Sequence, residues 1–279
     1  GRDRDAMEIE KKVQPLVLAD VPLMAQMAQI YADTGDFTRA QEWNIRVLNC
    51  GSTDDPNWWH ALTERIDWSM EQQQWQVSAA LNEALILESL NGRFYEANLS
   101  QLLRLRMTAR SAACLARIQQ LATAQHATAE VVASAADLQV LRDAHASLAM
   151  DASLADHFFP SLRAIGLVRL HDTLFQDSWQ QFRRACQRFP LDDNLHNSAG
   201  WLAARAVRQL DEAMKLQQHA LELNPQQGAY LDTMAEIYFA QGQRQPALSW
   251  SAQALSASPQ AEPLRRQYFR FMRDGYPKK

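Results

Sequence analysis

The sequence predicts an all-α fold assembled as a solenoid of antiparallel helix pairs, and three observations predict it. Residues 194–227 and 228–261 match each other at an offset of 34: Ala213 falls on Ala247, Ala220 on Ala254, Pro225 on Pro259, and Trp201 on Ala235. That period belongs to a helix–turn–helix unit, which cannot bury its apolar face alone and must stack on copies of itself. Second, alanine, leucine and glutamine dominate a chain of 279 residues with only 9 glycines and 10 prolines, a balance that favours helix. Third, no stretch alternates β-branched apolar and polar residues, so no sheet is expected.

Taken in order, residues 1–20 form a leader that turns apolar at Val13, Leu16 and Val17, with a first helix near 7–18. Residues 21–54 read as a repeat: Met27, Ala28 and Tyr31 share a helical face, Gly35-Asp36 breaks it, and Phe37, Ala40 and Val47 resume it. The section 55–158 is either degenerate repeats or an inserted helical hairpin. Asp54-Asp55-Pro56 starts a helix carrying Trp58, Trp59, Leu62, Ile66 and Trp68. A second runs from about Gln74 to Leu90 and closes at Asn91-Gly92. Phe94 to about Gln125, and then 127–149, read as helices longer than the repeat allows. In 159–193 the period returns in part: Ile165 and Gly166 take the small positions of a first helix, Phe175, Ser178, Phe182 and Ala185 lie along the second, and Pro190 ends it. The repeats 194–227 and 228–261 follow. Pro263 opens a basic capping helix and tail, 262–279, with Leu264, Tyr268 and either Phe271 or Met272 opposite the arginines.

With these residues the chain resembles the tetratricopeptide repeat family. That pattern sets a bulky residue, Leu-Gly or Leu-Ala, Tyr, Gly, Ala, an aromatic, Ala and Pro across 34 residues. Residues 228–261 supply Leu231, Met234-Ala235, Tyr238, Gly242, Ala247, Ala254 and Pro259. Residues 194–227 supply Trp201, Ala213, Ala220 and Pro225, with Arg208 in place of the turn glycine. Residues 21–54 supply Met24, Met27-Ala28, Tyr31, Gly35 and Ala40 without a closing proline. The match covers about half the chain. The alanines, Trp201, Tyr31 and Tyr238 are read as core packing at helix crossings.

The resemblance implies a right-handed superhelix whose first helices line a concave groove holding a peptide or protein partner. By position, the groove residues are Asp232, Glu236 and Phe239, then Ser198, Leu202 and Arg205, then Arg163, Leu167 and His171, with Gln29 and Asp33 in the first repeat. The family's chaperone-binding members grip a C-terminal carboxylate with a basic clamp. Here the equivalent places hold Asp232, Thr233, Glu236, Ser198 and Leu202, which implies a ligand with a basic or amide group instead.

The expected function is therefore a non-catalytic scaffold or adaptor, with no cofactor and no metal. Two further contact surfaces are expected. Trp58 and Trp59 point about 100° apart on a helix, so one packs inward and the other stands as an interface anchor. Arg265, Arg266, Arg270 and Arg273 form a basic face that suits an acidic partner or an anionic membrane, giving a peripheral linker as the alternative function. A homo-oligomeric scaffold is a further reading. The net charge of −4 argues against nucleic acid. It is uneven: six cations against Glu262 and Asp274 leave 262–279 locally basic.

Cys50, Cys114 and Cys186 form no paired motif and read as reduced thiols of a cytoplasmic protein. A periplasmic or membrane-anchored location is the alternative if an N-terminal signal was removed, since the chain begins at Gly1. No apolar run approaches the roughly 18 residues of a membrane span. There is no phosphate loop, nucleophile elbow or paired-histidine metal motif. His60, His126, His145, His157, His171, His196 and His219 are scattered, and Asp156-His157 is an adjacent pair with no nucleophile beside it. A deep polar pocket with clustered acids and bases in 55–158 would favour an enzyme.

Overall fold

The computed structural model describes residues 17–276 apart from 19, 53–54 and 92–98. The expected helix near 7–18 lies almost wholly outside the described residues, as does Gly92. Every regular element among the described residues is helical. None of those helices is long and apolar enough to cross a membrane.

Helices α1 (Val21–Thr34) and α2 (Phe37–Cys50) form the first hairpin. Asp20 caps α1 by accepting from the Leu23 N–H, and Gly35 ends it at φ 84, a backbone conformation that favours glycine. Asp36 then caps α2 at Arg39. Ala28, Ala40, Trp43 and Val47 fill the crossing. The next pair is α3 (Pro56–Glu71), capped by Asp55, and α4 (Trp75–Asn91). So the first part of the irregular section is a further hairpin with longer helices.

Helix α5 (Leu99–Gln125) runs 27 residues, as its unbroken pattern predicts. The stretch 127–149 is not one helix. It splits into a single turn, α6 (Ala129–Val132), and α7 (Ala135–Ala146). Ser134 is the reason: its hydroxyl accepts from the Asp137 N–H while the Asp137 carboxylate takes the Ser134 N–H, a capping box that starts a new helix. A π-helical turn, Leu154–Phe158, then runs into α8 (Phe159–Ile165). Gly166 sits at φ 87 as the cap of α8, so Ile165-Gly166 ends a helix rather than occupying its crossing.

Helix α9 (Val168–Arg188) is followed by two hairpins of matching length, α10 (Asp193–Ala206) with α11 (Leu210–Leu223) and α12 (Gly228–Ala240) with α13 (Arg244–Ala257). Ala213, Ala220, Ala235, Ala247 and Ala254 are all fully buried at their crossings, as the period requires. Tyr31, Trp201 and Tyr238 are only half-buried and edge the core rather than fill it.

The last helix, α14 (Glu262–Arg273), does more than cover the end of the array. Its apolar side buries Leu264 and Phe271 against α12 and α13. Its basic side reaches the first hairpin. Arg265 Nε donates to Asp33 Oδ2 on α1 at 2.6 Å, and the Arg273 guanidinium lies 5.4 Å from the Phe37 ring on α2. The Arg273 side chain passes directly over Gly35, where a Cβ would collide with it. The first and last described helices therefore touch, and the described helical array closes on itself.

Candidate functional site

Closure leaves a polar cavity of about 230 Å³. Its wall includes Glu71 from the end of α3, Asp156 and His157 from the π-helical turn, Arg163 from α8, Arg205 from α10 and Arg270 from α14. A π-turn is an uncommon element that recurs at functional sites, and it frees backbone carbonyls that an α-helix would use. Arg205 takes two of them: its Nε donates to the Ala155 carbonyl at 3.3 Å and its Nη2 to that of Asp156 at 3.2 Å. The same guanidinium lies 5.5 Å from the Trp201 ring, and the Trp201 Nε1 donates to Asp156 Oδ1 at 2.9 Å.

Glu236 is the electrostatic centre beneath the cavity. It is 2 % exposed and accepts from Arg205 Nη1 at 3.4 Å, from Gln267 Nε2 and from Arg270 Nη2. Burial works against the charge of Arg205, but the facing carboxylates of Glu236 and Asp156 outweigh it and hold the proton more firmly than usual. Arg270 is shifted the other way, by burial and by Arg205 beside it. The His157 Nε2 donates to Asp67 Oδ1 at 3.0 Å. Burial disfavours its charged ring, but this bond and the Asp67 charge prevail and raise its pKa.

Arg163 differs from the other two arginines. Its Nη1 donates to the Arg205 carbonyl at 3.2 Å, and it makes no ion pair with a carboxylate among the described residues. Burial first, and the positive charge of Arg205 second, push its pKa down to about 10. The Glu236 charge opposes this shift but does not offset it, and no carboxylate among the described residues pairs directly with Arg163.

Of the expected groove residues, only Arg163 and Arg205 reach the cavity. Glu236 lies just below it. Phe239 and Leu202 are fully buried, Phe239 with its ring 4.9 Å from Phe271 of α14. Leu167 is buried as well, and His171 is buried against Phe175 with its Nδ1 at 2.8 Å from Asp172. Asp232 is buried with one oxygen lacking a partner. Burial, with the Glu236 charge added, drives its pKa well above the usual carboxylate range. Ser198 is half-buried. Gln29 and Asp33 are buried and bonded to each other at 2.6 Å. For Phe239, Glu236 and Asp33 the physical reason is α14, whose Phe271, Arg270 and Arg265 lie against them. Leu167, Leu202 and His171 are instead taken up by the main core around Phe159 and Phe175.

Two surface expectations change with it. Arg265 and Arg270 point into ion pairs with Asp33 and Glu236, so they do not form a free basic face. Arg266 is half-buried and Arg273 bonds to Asp274 at 2.7 Å. Trp58 and Trp59 are both half-buried, edge to face with centroids 5.1 Å apart, and the Trp58 Nε1 donates to the Leu48 carbonyl at 3.1 Å. Neither ring stands out as an anchor.

Sequence reasoning missed Glu71 and the cavity role of Asp156, His157 and Arg270. The adjacent pair Asp156-His157 was the available signal, but a π-turn has no periodic signature that would aim it. No known family model matches this chain, and no curated protein is similar to it.

Proposed function

We propose that this chain is a tetratricopeptide-like scaffold that holds a protein partner by an anionic group seated in the arginine-walled cavity. The observation that carries the reading is Arg163: a cavity-facing guanidinium without a carboxylate of its own. The acceptor that would complete it is a carboxylate, from an Asp or Glu side chain or from a chain terminus, and two N–H bonds from one guanidinium suit it. This reverses the charge expected of the ligand, because the acidic residues of the groove, Asp232 and Glu236, are buried and the latter is already neutralised.

The 34-residue period and the fully buried alanines support stacking of the hairpins in the right-handed sense of that family. A binding role is favoured over catalysis because two of the cavity's titratable groups are already engaged, His157 by Asp67 and Asp156 by Trp201. The peripheral-membrane reading is disfavoured because Arg265 and Arg270 are tied up in ion pairs with Asp33 and Glu236.

A photo-crosslinking side chain at Ala164, an exposed residue on the cavity wall, tests the proposal in cell extract. One partner is expected to be captured there, not from the same probe at Lys215 on α11, and Arg163→Glu is expected to abolish capture. Undiminished capture by Arg163→Glu would remove the cavity from the account.

A further inference from the structure

A second constellation lies where α14 meets α3. His60 and Glu64 are four residues apart on α3 and so share one face. Glu262 is the first residue of α14. The His60 Nε2 lies 3.5 Å from Glu64 Oε1 and 3.4 Å from Glu262 Oε2, and one ligand atom from each residue falls within 4.8 Å of the others.

The independent sign of a ligand is Glu64. Its side chain is 3 % exposed, and the Oε1 that faces His60 has no hydrogen-bond partner. A buried carboxylate oxygen left unbonded is unfavourable, and such groups are rare unless something outside the chain completes them. A tetrahedral zinc ion with ligands at about 2.0–2.2 Å sets neighbouring ligand atoms about 3.3–3.6 Å apart. The two separations from His60 match that edge. An octahedral magnesium ion needs about 3.0 Å and prefers all-oxygen ligands.

We propose that His60, Glu64 and Glu262 form a zinc site with the fourth position open to water, fastening α14 to α3. The ion can enter, because His60 is exposed and Glu262 half-buried. Arg266, Arg265 and Asp67 are the other charged groups facing the cluster. Once Glu64 gives up its proton, as zinc binding requires, two carboxylates and Asp67 against two guanidiniums leave the surroundings net negative, which favours a cation. Burial raises the Glu64 pKa to about 7, with the positive charge of His60 opposing it. The Glu262 bond outweighs burial to raise that of His60. Zinc must displace protons from both, so its affinity rises with pH.

The test uses the full chain stripped of metal with a chelator, then titrated with zinc chloride or cobalt chloride. One equivalent is expected to bind, with the visible absorption of tetrahedral cobalt and a rise in melting temperature. His60→Asn and Glu262→Gln, both at the solvent edge of the cluster, are expected to fold as the parent does. Each should weaken zinc by about tenfold or more and lose the thermal shift. Equal zinc binding by parent and both variants would place the ion elsewhere and overturn the site. So would an equal thermal shift from magnesium.

Discussion

Glu236→Ala is expected to destabilise the protein by about 3–5 kcal/mol, the range for breaking a buried ion pair by removing one partner. The carboxylate is nearly inaccessible and is shared by Arg205, Arg270 and Gln267. Without it, two guanidiniums face each other and Arg163 across the cavity with no buried counter-charge. The loss also reaches the fold's closure, because Arg270 and Gln267 belong to α14 while Glu236 belongs to α12. Glu236→Gln keeps the shape but not the charge, and most of the loss should remain. Asp232→Asn is the control one turn away. That carboxyl is already biased toward its neutral form, so an amide there should leave stability unchanged or raise it. Urea unfolding of the three variants decides the matter; a loss below about 1 kcal/mol for Glu236→Ala would mean the network is not what holds α14 down.

The second expected effect is a fall in stability as pH rises through the weakly acidic range, measured with chelator present. The folded chain holds the Glu64 proton up to about 7, against an ordinary value of 4.5. Between those values the folded state binds more protons than the unfolded one, so stability declines with rising pH. The contribution is fully present below pH 4.5 and lost by about pH 7, and the gap corresponds to about 3 kcal/mol. Asp232 and His60, both raised, act in the same direction, whereas Glu262, held low by its bond to His60, acts in the opposite one. Glu64→Gln removes the largest of these with a defined window. Its stability should change less between pH 4.5 and pH 8 than that of the parent. Identical pH dependence in the two proteins would show that Glu64 ionises normally.

The hairpins of 194–261 were legible almost to the residue, because small side chains at fixed spacing report helix crossings directly. Ala213, Ala220, Ala247 and Ala254 sit where the period puts them. The break at Ser134 was harder, since an alanine-rich stretch masks a capping box that interrupts it. Closure of the array was not legible at all. Asp33 and Arg265 are 232 positions apart, and nothing in either helix's own pattern points to the other. Amphipathicity marked the basic side of α14 as polar. It could not say that this side meets buried carboxylates instead of water. For the same reason the repeat register set Arg163 and Arg205, which line the cavity, in one exposed groove with Asp232 and Glu236, which are buried. Until α14 is in place, Asp232 and Glu236 look like an acidic surface.

The closed arrangement depends on contact between α14 and α1, and a thiol crosslink reports that contact. In a Cys50→Ser background, with Cys114 and Cys186 buried, Asp33→Cys and Arg265→Cys place two new thiols at the ends of the observed ion pair. A short bifunctional reagent should join them within one chain, giving a monomer of altered mobility whose peptides link 33 to 265. Reaction of both thiols with monofunctional reagent but no intramolecular link would mean that the array is open and that the cavity does not exist.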